Sequence, residues 1–207
     1  MSSQVVRFEA LVAPPFPRCW FDSANGVDLC QVQQDRLIHN WRLRSEPYPH
    51  YEQIRARLVS DLDDFESFVA DERPGQLVFN QSEVTYINTI DLPDERNPHA
   101  TLDDILGVWN RFGGIEGDLE DVAVRARYLF KRETTPYGRL HVSVSPGVRR
   151  SDGKPIVQLE MTFRGKPTGE DRAAALSLLD EGRAVIVKSF DKMTTSEMHA
   201  YWGRKND

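Results

Sequence analysis

Cysteine is scarce in this sequence and long apolar runs are missing, and both absences restrict the class of protein. Only 2 cysteines, Cys19 and Cys30, occur among the 207 residues, which is too few for a disulfide framework. No apolar stretch approaches the roughly 20 residues that cross a bilayer. The N-terminal residues lack the basic region and the uninterrupted apolar segment of a secretory signal. We therefore expect a cytoplasmic protein that does not bind a membrane.

Sequence patterns for common catalytic and cofactor sites are also missing. There is no glycine-rich phosphate loop, no GxGxxG, no HExxH and no CxxC. The 5 histidines have no spacing typical of metal ligands, so we expect neither a metal site nor a cofactor. His141, Ser143 and Ser145 lie on one polar face of a predicted strand and could act as a base and a nucleophile, but no placed acid or oxyanion-hole signal accompanies them. A hydrolase with a dispersed site stays an alternative, and no catalytic residue is assigned.

The charge of the chain is negative but unevenly distributed. The net charge of −6 argues against nucleic-acid binding by the whole surface. Acidic residues crowd the segment 61–72, while arginines collect in strand-like segments. An acidic chain of this kind can still carry a local basic patch.

Hydrophobic periodicity divides the chain into strands and helices. Residues 27–33 and 36–44 are predicted to form two strands around a turn. A helix predicted over 50–71 has an apolar residue every three to four positions, and its acidic residues are expected on the opposite side. The remaining predicted elements are a strand at 6–12, a hairpin of 77–79 and 84–90, a short helix at 101–111, strands at 121–132, 139–146 and 155–164, a helix from 168 to about 190 and a final turn from Thr194.

This order of elements predicts an α+β fold, an antiparallel sheet with helices packed on one face. Two β-rich runs, each ending in a long helix, are consistent with two similar halves that share the sheet. We predict a single domain over residues 1–207, and a division into the halves 1–75 and 76–207 stays open.

Strand alternation also predicts a binding surface. In the segment 36–44 one face carries Trp41, which we expect to meet the helices, and the opposite face is left for a partner. If antiparallel neighbours extend that face, it gains two more arginines and the polar residues of later strands. Clustered arginines repel one another unless carboxylates neutralise them, either Glu9 and Glu160 of the chain itself or those of a partner. The predicted binding residues are Arg36, Asn40, Arg42, Arg44, Arg125 and Arg127.

Several short sequence blocks are distinctive. They are Asp35-Arg36 with Asn40-Trp41-Arg42, Tyr48-Pro49 with Tyr51-Glu52, Thr85-Tyr86-Ile87-Asn88, Gly153-Lys154-Pro155 with the following strand, and Phe190, Thr194-Thr195, Met198-His199 and Trp202-Gly203. These blocks resemble a sporadically distributed bacterial family of uncharacterised proteins. They cover nearly the whole chain, so the resemblance concerns the domain. It implies no activity and no catalytic residue. The scattered occurrence of such a family is typical of genes that move between genomes, often as parts of accessory or defence systems.

Two classes of function therefore compete with the hydrolase alternative. The leading hypothesis is a non-enzymatic interaction module that binds a protein partner, or a second copy of itself, through the sheet face or an edge. The other is a nucleic-acid or nucleotide binder that uses the basic face. Sheets that bind nucleic acid normally offer exposed aromatic side chains for base stacking, and the predicted face offers almost none.

Overall fold

The computed structural model describes residues 17–44, 47–72, 77–92, 97–109, 117 and 119–204. Its elements are, in chain order, β1 (Cys19–Asp22), β2 (Asp28–Gln33), β3 (Arg36–Trp41), α1 (His50–Glu72), β4 (Ser82–Asp91), α2 (Leu102–Ile105), β5 (Val124–Arg132), β6 (Thr135–Val148), β7 (Pro155–Gly165), α3 (Arg172–Met193) and α4 (Ser196–Tyr201). All strand pairs are antiparallel. The predicted α+β fold class is thus confirmed, and the strand predicted at 6–12 lies outside the described residues.

The chain divides between Leu77 and Val78 into two compact units. Each unit holds its own antiparallel sheet, one of three strands and one of four. The sequence pattern had suggested one shared sheet and had left a division between residues 75 and 76 open. Whether the two units unfold together as one cooperative domain stays a prediction.

The first unit is a sheet in the order β1-β2-β3 with α1 packed on β3. β2 and β3 form a hairpin around Gln34-Asp35, and α1 buries Leu62 of the predicted apolar stripe. The two predicted strands and the predicted helix of this unit are confirmed, although the second strand ends three residues earlier than expected. β1 was not predicted, because its 4 residues are all exposed and show no apolar alternation.

The second unit is a sheet in the order β4-β7-β6-β5. β5, β6 and β7 form a meander, which confirms the three strands predicted between residues 121 and 164. The predicted hairpin of 77–79 and 84–90 is wrong. Residues 77–81 form no strand, and the Phe79 N–H donates to the Glu170 carbonyl at 3.0 Å. β4 pairs with the distant β7 instead, a choice that no local turn signal could reveal.

Helix α3 covers one face of the four-stranded sheet and contacts β4, β6 and β7. Phe163 lies in this core, is only 1% exposed, and meets the ring of Phe130 edge-on at a centroid distance of 5.8 Å. Gly138 of β6 and Gly182 of α3 both approach its ring. A Cβ at these positions would lie 2.2 Å and 2.6 Å from ring atoms. Sheet and helix can close on this ring only because both positions lack a side chain.

The C-terminal part of the chain packs back on the second unit through caps and aromatic contacts. α3 begins directly after Asp171, whose carboxylate accepts a backbone N–H, four residues later than the predicted start. Thr195 caps α4 in the same way, and Met198 is buried. Trp202 stacks on Phe190 with ring centroids 5.5 Å apart. The final turn predicted after residue 194 is therefore confirmed as a short helix.

Candidate functional site

Strand alternation gives the four-stranded sheet a second face that is polar and largely exposed. In β6, Leu140, Val142 and Val144 are buried in the core, so His141 and Ser143 point to the opposite side. The same alternation in β4, β5 and β7 produces a surface that we call the open face. Its residues are Glu83, Thr85, Ile87 and Thr89 of β4, Arg125, Arg127 and Leu129 of β5, Arg139, His141, Ser143 and Ser145 of β6, and Gln158, Glu160, Thr162 and Arg164 of β7.

The strand register sets the open-face residues in rows across the sheet. Arg125, Ser143 and Glu160 form one row, and Arg127 and His141 belong to the neighbouring row. Side chains directly opposite one another in such rows have Cβ atoms about 4.5–5.5 Å apart. The two rows line a shallow groove of about 340 Å³. The groove thus offers cationic, hydroxyl and carboxylate groups side by side.

Three of the four arginines on the open face have no carboxylate partner among the described residues. Arg164 pairs with Glu83, but Arg125, Arg127 and Arg139 form no side-chain hydrogen bond or ion pair with any residue that the structure describes. Elsewhere, ion pairs join Arg36 to Asp35, Arg42 to Asp22, Arg57 to Asp28, Arg132 to Glu181, Arg149 to Asp91 and Asp152, and Arg204 to Asp191. Positive charge that the described carboxylates do not neutralise therefore collects on this face.

Neither carboxylate that the sequence offered as an internal partner is seen to neutralise these arginines. Glu160 lies in the same row as Arg125 but forms no ion pair within the described part of the chain. Glu9 lies outside the described residues. Among the six predicted binding residues, internal pairing is therefore seen for Arg36 and Arg42, whereas Arg125 and Arg127 have no described carboxylate partner.

Four predicted binding residues lie in β3 or directly after it, namely Arg36, Asn40, Arg42 and Arg44. The hydrogen bond from Arg36 lowers the pKa of the Asp35 carboxyl below its usual value, so this pair is ionised at neutral pH. Arg42 pairs with Asp22 of β1, and Arg44 is exposed. Two buried donors in this segment, Asn40 Nδ2 and Arg42 Nε, have no hydrogen-bond acceptor among the described residues.

The six predicted binding residues do not lie in one sheet. Arg125 and Arg127 are in β5, which in the described residues pairs only with β6, while β3 pairs only with β2. The expected pairing that would add both residues to the arginines of β3 is therefore wrong. Side-chain alternation is a local property of each strand and was predicted well, whereas the choice of pairing partner depends on residues far apart in sequence.

A second polar cluster joins α1 to the three-stranded sheet. The side chain of His39 is only 4% exposed, and its Nδ1 lies 2.7 Å from Asp61 Oδ2 while its Nε2 lies 3.3 Å from Asp28 Oδ1. Arg57 donates through Nη1 to both oxygens of Asp28, at 2.6 and 2.7 Å. These contacts join Arg57 and Asp61 of α1 to Asp28 of β2 and His39 of β3.

This cluster was not predicted, because the acidic residues of α1 were expected on the side away from the sheet. That prediction is wrong for Asp61, which turns toward His39. A usable signal was present. His39 lies two residues before Trp41 and so shares the strand face that was expected to meet the helices, and Arg57 and Asp61 are four residues apart and so share one side of α1.

Cys30 lies opposite His39 in the strand register but is not an activated nucleophile. Burial raises the pKa of its thiol to about 11, and the charge of Asp61, a hydrogen bond to Asp61 and the charge of Asp64 act in the same direction. A catalytic cysteine needs a lowered pKa, so that the thiolate is present near neutral pH. The Cys30–His39–Asp61 arrangement therefore has the residue types of a cysteine triad without its electrostatics.

The His141–Ser143 pair likewise lacks the contacts of a hydrolytic site. No hydrogen bond joins the two side chains, and no described carboxylate lies within hydrogen-bond reach of His141. Nucleophile and base normally meet within about 2.6–3.2 Å, with a third group orienting the base. Among the described residues no group of three metal-ligating side chains is arranged to hold a metal ion, and none of the described helices is long and apolar enough to cross a membrane.

Comparison with known proteins adds no functional assignment. No protein-family model matches the chain, and searches of curated proteins and of solved structures found no significant match. The resemblance of the sequence blocks to a sporadically distributed bacterial family stays a prediction. The function is therefore inferred from the geometry and charge of the described residues.

Proposed function

We propose that this protein is a non-enzymatic interaction module that binds an acidic segment of a protein partner through the open face. The observation that carries the proposal is the group of exposed arginines, Arg125, Arg127 and Arg139, that lack a carboxylate among the described residues. Like charges on neighbouring strands repel one another in the free protein. Carboxylates of a partner would remove this repulsion and form charge-assisted hydrogen bonds with the guanidinium groups.

Two features of the open face favour a protein segment over a nucleic acid. None of its described residues is a phenylalanine, tyrosine or tryptophan, and single-stranded nucleic acids are usually held by bases that stack on such side chains. Glu83 and Glu160 also lie on this face, where they would repel a continuous row of phosphates. A polypeptide with spaced carboxylates can avoid both glutamates and still reach the arginines.

The kind of partner and the cellular setting belong to the same proposal. Two open faces would bring arginines against arginines, so we propose a different protein, not a second copy, as the partner for this surface. The two free thiols, Cys19 and Cys30, suit a reducing compartment and support a cytoplasmic location. The sequence blocks that resemble a sporadically distributed bacterial family support a role in an accessory or defence system.

The experiment compares the wild-type protein with the double variant Arg125→Gln/Arg127→Gln. Calorimetric titration at low salt uses polyglutamate as a carboxylate probe and a single-stranded DNA oligonucleotide as a phosphate probe, together with the product of the adjacent gene. We expect the double change to weaken polyglutamate binding by about 1–3 kcal/mol, the range for charge-assisted hydrogen bonds, and to leave the melting curve unchanged.

The matched control is Arg132→Gln/Arg149→Gln, which removes the same charge from two arginines that pair with carboxylates of the chain. This control should lower stability slightly and leave probe binding nearly unchanged. Equal losses of binding in both double variants would reduce the effect to net charge and refute a specific face. Tighter binding of DNA than of polyglutamate, lost only in the open-face variant, would favour the nucleic-acid function instead.

A further inference from the structure

The outer edge of β5 lies beside Arg125 and Arg127 and offers backbone hydrogen-bonding groups that no described strand pairs. β5 ends the strand order β4-β7-β6-β5 and spans 9 residues. In the described part of the chain its backbone pairs with β6 only, and none of its N–H or C=O groups forms a hydrogen bond with a turn or loop. Every second N–H and C=O of the strand therefore points away from the sheet. Such an edge can accept another extended segment.

The side chains of β5 specify what kind of segment would fit. Arg125 and Arg127 lie on the open face, while Ala126 and Tyr128 lie on the other side of the strand. Tyr128 is 46% exposed, because it stands at the margin of the sheet. A segment paired with β5 would place alternate residues opposite the arginines and the residues between them beside Tyr128. Acidic and apolar residues at a period of two would match both sides.

We propose that β5 pairs with an extended segment of the partner in which acidic and apolar residues alternate, so that the segment becomes a fifth strand of the four-stranded sheet. This inference rests on the proposed function and names how the partner binds. A second copy of β5 is not a suitable occupant, since it would place arginine against arginine. The charges that keep two β5 edges apart are the same charges that attract an acidic strand.

The experiment uses a fluorescent peptide of alternating glutamate and valine and two forms of it with N-methyl groups on alternate residues. One form is methylated on the glutamates and the other on the valines. A paired strand offers only one of its two edges to β5, so methylation on that edge removes its N–H donors and methylation on the other edge does not. We expect one methylated form to lose roughly tenfold or more in affinity, while the other binds like the unmodified peptide.

Amide hydrogen exchange of the protein supplies a second readout. Alternate amides between Arg125 and Phe130 should exchange rapidly in the free protein and become protected in the presence of the unmodified peptide. The Arg125→Gln/Arg127→Gln variant should bind the peptide more weakly, while a lysine–valine peptide should not bind at all.

The outcomes distinguish strand pairing at the edge of β5 from binding by the side chains of the open face alone. Equal binding of both methylated forms, without new protection in β5, would overturn strand pairing and leave the open-face interaction of the proposed function intact. Absence of binding by every glutamate-containing probe, including polyglutamate, would overturn both. Equal binding of the lysine–valine peptide would show that charge does not select the segment and would also refute the inference.

Discussion

Replacing Gly138 by alanine tests whether the ring of Phe163 is confined from two sides. The new Cβ would lie 2.2 Å from the ring Cζ and 2.8 and 2.9 Å from the two Cε atoms, whereas favourable carbon contacts are about 3.5–4.0 Å. The ring is 1% exposed and cannot swing toward α3, where Gly182 already approaches its Cδ1 side. We therefore expect a loss of about 1–3 kcal/mol in the free energy of unfolding, the usual cost of overpacking a core.

Urea denaturation followed by circular dichroism measures this loss, and Gly147→Ala is the matched control. Gly147 lies in the same strand, and a Cβ there would meet no atom within 4 Å. The control should be neutral or more stable by up to about 1 kcal/mol, because alanine restricts the unfolded chain. Adding Phe163→Leu to Gly138→Ala removes the clashing ring atoms, so the double variant should lose about 1 kcal/mol less than the sum of the single losses. A Gly138→Ala stability within about 0.5 kcal/mol of wild type would refute the confinement of the ring.

Two further predictions concern α1 and α4. Because burial and Asp61 raise the pKa of the Cys30 thiol to about 11, its alkylation should be slow at neutral pH and accelerate as the pH rises toward that value. Asp61→Asn should lower this pKa and speed alkylation at a fixed pH, whereas Asp71→Asn should not, and equal rates by mass spectrometry in both variants would contradict this. Met198 is 3% exposed, so Met198→Ala should cost about 2–5 kcal/mol in urea denaturation. Tyr201→Ala, at a side chain 54% exposed, should cost clearly less, and the reverse order would show that α4 is not packed as described.

The alternation of β6 shows how much of the candidate site a sequence can predict. Arg139, His141 and Ser143 alternate with buried aliphatic residues, and this period of two is visible within a few residues. The sequence pattern accordingly predicts that His141 and Ser143 share a polar face, whichever strands are paired. It also predicted α1 closely, since the helical period repeats over 23 residues and leaves little ambiguity.

The pairing of strands and of charges could not be predicted in the same way. β4 pairs with β7 rather than with a nearby segment, and β3 and β5 belong to different sheets, although the sequence pattern allowed both alternatives. Arg164 forms an ion pair with Glu83, which is 81 residues away in sequence. Arg125 forms no ion pair with a carboxylate in the described part of the chain. Nothing in the residues around either arginine distinguishes the two.

The sequence by itself determined the fold class, the order of the described elements apart from β1 and the predicted hairpin at 77–90, and which side chains of a strand share a face. Each of these follows from a local period, and a local period is set by backbone geometry. Only the tertiary structure decided which strands are neighbours, which arginines are neutralised, and that Asp61 turns inward to His39. These depend on contacts between residues far apart in the chain, where many arrangements satisfy the same local pattern and the packing of the whole unit selects one.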